Sequence, residues 1–94
     1  PPEGVPVIDC RVIQNPYRQA DTDAARIELV KKHPAFLVLV ETGVGVLVVQ
    51  DAIAVGCTWG RHRSGAVARA IAARTGATVE RMPGQKRTVD ISSN

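Results

Sequence analysis

Ala52-Ile53-Ala54-Val55-Gly56-Cys57-Thr58-Trp59-Gly60-Arg61-His62-Arg63-Ser64 holds both the architecture and the chemistry of this chain. Its first part, within Asp51 to Gly56, is a short aliphatic run that reads as a buried strand. Its end leads into a helical pattern from Ser64 to Arg74, closed by Gly76. A strand, a tight turn and a helix N-terminus in that order leave backbone N–H groups aimed at whatever fills the turn. Arg61, His62 and Arg63 add cationic or potentially cationic side chains to the same turn. An arginine in the first turn of a helix opposes the helix dipole unless an anion offsets it. The segment is expected to hold an oxyanion, with Cys57, Thr58, Trp59, Gly60, Arg61, His62, Arg63 and Ser64 around it.

On the N-terminal side, Val5 to Ile13 reads as a first strand through its β-branched content, and Asn15-Pro16-Tyr17 breaks it. Asp21 or Asp23 can cap a helix from about Thr22 to Lys32, whose Ala24, Ile27 and Val30 fall at helical spacing. Lys31 and Lys32 suit its C-terminal end, and His33-Pro34 stops it. Residues 35–49 read two ways. By propensity, Phe36 to Val40 and Val44 to Val49 are two strands of a hairpin around Glu41-Thr42-Gly43; Pro34 near a first turn equally suits a helix.

On the C-terminal side, Ala77 to Arg81 reads as a last strand, and Met82 to Asn94 is a polar tail or an edge hairpin using Thr88 to Ile91. Strands alternating with helices give the α/β class: one domain, residues 1–82, with a small parallel or mostly parallel sheet and flanking helices, followed by the tail 83–94. In such sheets ligands bind beyond the carboxyl ends of the strands. Two of those ends are polar here, Asp9-Cys10-Arg11 through Tyr17, and Cys57 through Ser64. They converge if their strands are neighbours.

Ninety-four residues make one small domain. Tyr17, Phe36 and Trp59 are its only aromatics, so Val, Ile, Leu and Ala build the core, and a small aliphatic core favours a homo-oligomer. The net charge of +3 suits an anionic partner. Two cysteines, Cys10 and Cys57, suggest neither a disulfide framework nor a zinc site, so a reduced, cytoplasmic chain without metal or cofactor is expected. Phe36 to Val49 is interrupted by Glu41 and too short to cross a bilayer, and no basic segment precedes an apolar start. No membrane partner is expected. The chain begins with Pro, and nothing is built on its first four residues.

Cys57-x-x-Gly60-x-x-Arg63-Ser64 also fits the loop of cysteine-dependent phosphatases. There a thiolate of lowered pKa attacks phosphorus, an arginine forks across the phosphoryl oxygens, and the next hydroxyl steadies the sulfur. Given the cysteine, the other positions match by chance roughly once in a few thousand. Against catalysis, Gly56 stands where such enzymes usually carry His, Trp59 is bulky for a phosphate cradle, and none of Asp9, Asp21 and Asp51 is clearly placed as general acid, a role that Asp9 or Asp21 would take in a phosphatase. Cys57 equally reads as a small buried residue at a strand end. Binding is favoured over hydrolysis.

Ala54 to Ser64 resembles the Ile-Gly-Cys-Thr-Gly-Gly-x-His-Arg-Ser stretch in the C-terminal domain of RapZ-type RNase adaptor proteins. Ile8-Asp9-Cys10-Arg11 followed by Asn15-Pro16-Tyr17 is similar to the same family's Asp-x-Arg and Asn-Pro-Tyr. The resemblance implies an α/β domain that binds a phosphorylated amino sugar such as glucosamine-6-phosphate, self-associates and, in some members, meets a small regulatory RNA. It favours the helix for residues 35–49. It would place Asp9, Arg11, Asn15 and Tyr17 along the pocket, with Gly56 to Ser64 on the phosphate.

The departures are specific. Trp59 replaces a glycine, Arg81-Met82-Pro83 stands where a basic His-Arg-Asp is usual, and no Gly-x-x-x-x-Gly-Lys pattern is present. ATP or GTP binding does not carry over, and a stand-alone version of this kind suits a phage or mobile element. A third reading is RNA binding through Lys86 and Arg87, with Lys31, Lys32 and the loop arginines on phosphates. The shortage of aromatic stacking platforms weighs against it.

Overall fold

The computed structural model describes residues 5–13, 16–56, 62–81 and 88–92. Its first strand, β1, is Val7–Asp9, followed by single-turn 3-10 helices at Cys10–Val12 and Pro16–Arg18. Next come α1 (Asp23–Lys32), α2 (Pro34–Val49), β2 (Ala52–Gly56), α3 (His62–Thr75), β3 (Thr78–Arg81) and β4 (Thr88–Ser92). The class is α/β in a single small domain. β1 is shorter than the Val5–Ile13 expected because the Asp9 side chain accepts the Arg11 N–H at 2.9 Å and caps a helical turn.

Residues 35–49 are helical and not a hairpin. Pro34 supplies the first helical position and His33 caps the helix, its Nδ1 accepting the Ala35 N–H at 3.0 Å. Gly43, which looks like a turn glycine in the sequence, marks instead the close approach of α2 to its neighbours. A Cβ there would collide with Ile71 of α3 and lie 3.2 Å from Cδ1 of Ile53 on β2. α1 begins at a Thr22 cap, whose hydroxyl accepts the Ala25 N–H at 3.1 Å, not at Asp21 or Asp23. Replacing Thr22 with alanine should cost about 1 kcal/mol in a urea titration, with an unchanged denaturant slope.

The sheet has the order β1-β2-β4-β3. β1 and β2 are parallel, with Val7, Ile8 and Asp9 opposite Ala54, Val55 and Gly56. β4 is antiparallel to both β2 and β3, so β1, β2 and β3 run one way and β4 the other. Of the two readings of the C-terminal segment, the hairpin is the one formed: Thr88–Ser92 pairs antiparallel with β3, but it takes the inner position and leaves β3 at the edge. The register supplies the reason. Val89 and Ile91 stand opposite Val55 and Ile53, continuing the β-branched rows of β2 where a strand was needed.

α2 and α3 meet each other and β2 at Gly43, Ile71 and Ile53, and α1 packs on both helices. The helices thus share one face of the sheet, and the shortest molecular dimension, 19 Å, holds one sheet and one helix layer. The core between them includes Ile8, Cys10, Ile13, Val30, Val40, Leu47, Ile53, Val55, Val67 and Ile71 among the described residues. Each fully buried Ile or Val contributes about 1.5–3 kcal/mol. Gly76 ends α3 at φ 76°, a left-handed conformation that glycine adopts without strain. Among the described residues no single helix is long and apolar enough to cross a membrane.

Candidate anion-binding site

The parallel pairing of β1 with β2 puts Asp9 beside Gly56, so the two polar strand ends lie next to each other. α3 starts six residues after Gly56, at His62, two residues earlier than its apolar pattern indicates. Arg63 therefore lies in the first turn, where the helix dipole repels it. It is nonetheless buried, only 6% exposed. Its Nη1 donates to the carbonyl oxygen of Ile13 at 3.1 Å, tying α3 to the segment that follows β1. Among the described residues no carboxylate pairs with it. Ser64, next along the helix, is completely buried and already partnered.

Asp9 and Arg11 form an exposed, bidentate pair. Arg11 Nε donates to both carboxylate oxygens at 3.0 and 2.9 Å, and Nη2 donates to Oδ2 at 2.7 Å. These side-chain bonds, then the Arg11 backbone N–H, hold the Asp9 carboxyl below its ordinary value of 3.8, and the nearby charge of Arg63 acts in the same sense. The bonds favour the ionised form in the folded state. Their stabilising effect is complete above pH 3.8 and is lost as the pH falls through the lowered folded value. An NMR titration should show Asp9 ionising below 3.8, and moving up towards it in Arg11→Gln.

The pair also bears on chemistry. A carboxyl held in its ionised form is a poor proton donor near neutral pH, so Asp9 is unsuited to protonate a leaving group. Asp21 is exposed just before α1. Cys10 is buried in the core, its Sγ 4.0 Å from the Ile8 carbonyl. Lys31 and Lys32 end α1, Lys31 paired with Glu28 at 3.5 Å.

Asn15, Cys57, Thr58, Trp59, Gly60, Arg61, Lys86 and Arg87 lie outside the described residues, as do the side chains of Tyr17 and His62. The backbone of Tyr17 is in the 3-10 turn Pro16–Arg18, and that of His62 opens α3. The structure thus brings together Asp9, Arg11, the Ile13 carbonyl, Arg63 and Ser64. Ile13 is the participant that sequence reasoning missed. Its contribution is a main-chain oxygen, which no residue type announces.

The fold and this corner define an α/β domain with a basic helix start at the carboxyl edge of a parallel strand pair. Comparison with protein-family models, curated proteins and solved structures finds no match to the chain. The likeness to the RapZ-type adaptor domain rests on the two motifs alone.

Proposed function

We propose that this protein is a binding module for a phosphorylated small molecule, held where the start of α3 meets the carboxyl ends of β1 and β2. The observation that carries the reading is Arg63. Burying a guanidinium is costly without an opposite charge. Here one donor is used on a neutral carbonyl, the nearby Asp9 carboxylate is already taken up by Arg11, and the helix start adds positive potential instead of relieving it. A phosphate dianion offsets both and accepts the remaining donors in a forked geometry. Arg61, His62 and the N–H groups of the Cys57–Ser64 segment are the further donors. In this reading Asp9 and Arg11, with Asn15 and Tyr17 from the motif resemblance, contact the rest of the molecule, and an amino sugar phosphate such as glucosamine-6-phosphate fits that resemblance.

Isothermal titration calorimetry tests this with inorganic phosphate, glucosamine-6-phosphate, glucose-6-phosphate and a nucleoside monophosphate. Saturable binding of phosphate, tighter for one of the phosphate esters, is the expected result. Absence of heat with all four ligands would overturn the proposal and leave Arg63 as a purely structural tie. Running p-nitrophenyl phosphate alongside separates binding from hydrolysis: no turnover is expected, whereas turnover abolished by Cys57→Ser would show a phosphatase.

A further inference from the structure

α2 is apolar on most of its circumference but covered on one side only. Val40, Gly43 and Leu47 face the core, while Leu37, Val38, Thr42, Gly45, Val48 and Val49 are exposed with Glu41 on the opposite side. At ~100° per residue these positions span an arc of about 140°. Val48 and Val49 are 80% and 77% exposed, and Leu37 and Val38 are 61% and 64% exposed. Two exposed apolar pairs at the ends of one helix face are the kind of surface that marks an interaction site.

Three features say what covers it. The stripe reads nearly the same in both directions, an apolar pair at each end and small or polar residues between. An antiparallel pairing about a two-fold axis near Gly43 lays Leu37-Val38 of one copy on Val48-Val49 of the other, twice. Gly45 lies at the middle of the stripe with no atom within 4 Å of its Cβ position, so a second helix can approach closely there. Glu41 falls opposite Gly45 of the second copy, where a side chain is missing, and its charge is already met by Arg74.

The area is also sufficient. The four aliphatic side chains expose roughly 400 Å² per copy, and covering their surroundings as well buries on the order of 1,000 Å² in total, the lower limit for a specific interface. A bilayer surface fits less well, because α2 has no Lys or Arg to meet lipid headgroups and carries Glu41 mid-stripe. We propose that this face is a homodimer interface in which α2 pairs antiparallel with α2 of a second copy.

Sedimentation velocity on the full 94-residue chain reads the outcome. The wild type is expected to be a dimer, and Val48→Glu a monomer, or a dimer weakened at least tenfold, with unchanged far-UV circular dichroism. Orientation is read by mixing Val38→Cys with Val48→Cys under mild oxidation, the wild type serving as control for the native cysteines. Cross-links should form between the two variants in preference to either with itself. A wild-type monomer, a dimer indifferent to Val48→Glu, or preferential cross-linking of Val38→Cys to itself would each overturn the pairing. So would a wild-type monomer that floats with phosphatidylcholine–phosphatidylserine vesicles, which would assign the face to lipid. None of these readouts depends on phosphate binding.

Discussion

Arg63→Ala is expected to weaken phosphate binding by about 100-fold, since in the proposed complex it removes a two-pronged, charge-assisted contact from a buried guanidinium. Arg63→Lys should fall between, losing about 10-fold, because it keeps the charge but not the fork. Calorimetry measures both. The substitution also touches the fold: alanine strips the Ile13 carbonyl of its donor, at a cost of about 1–3 kcal/mol. Ligand-dependent melting separates the two effects. Phosphate at a hundred times its dissociation constant should stabilise the wild type by about 2.7 kcal/mol. Arg63→Ala should melt lower and show almost no response to phosphate. An Arg63→Ala protein that melts lower yet gains as much from phosphate as the wild type would leave Arg63 as a tie between α3 and the segment after β1, and nothing more.

Gly43→Val is expected to be strongly destabilising. A bare Cβ at that position already collides with Ile71, and would lie 3.0 Å from its Cγ1 and 3.2 Å from Ile53 Cδ1. Ile71 and Ile53 are completely buried, so neither can swing aside into solvent. Two further methyl groups force α2 away from α3 and β2, and a loss of about 3 kcal/mol or more is expected. For a domain of this size that is a large share of the total stability. Gly43→Ala is the informative comparison. Better helix propensity returns up to about 1 kcal/mol against a smaller clash, so its net cost should stay under about 2 kcal/mol. Urea denaturation followed by circular dichroism measures both. A Gly43→Val protein as stable as the wild type would show that α2 is not seated as described.

Much of the architecture could be read from residue order alone. Ala52–Gly56 followed by the Gly76-terminated helix declared a strand, a turn and a helix, and the pairing of β1 with β2 brings the two polar strand ends side by side. Residues 35–49 resisted a reading from composition because Val and Leu serve a buried strand and a buried helix equally. What separates them is Gly43, and its role lies in Ile71 and Ile53, residues distant in sequence. The inner place of Thr88–Ser92 was hidden for a similar reason: a polar, alternating segment looks like an edge until its rows are matched to Ile53 and Val55. At the site, Arg63 stood out in the sequence by its position at a helix start, whereas the Ile13 oxygen that accepts from it did not.

The late arrival of β4 has a consequence for biosynthesis. β2 and β3 are made first, yet they touch only through a strand that follows both of them in the chain. A nascent polypeptide that has emerged only as far as Arg81 carries the hydrogen-bonding edges of β2 and β3 bare, a template for pairing with other chains. The sheet can zip shut only once residues 88–92 clear the ribosome tunnel. Folding of this domain is thereby deferred until after that point, and premature termination before Thr88 should yield an aggregating fragment instead of a slightly weaker domain.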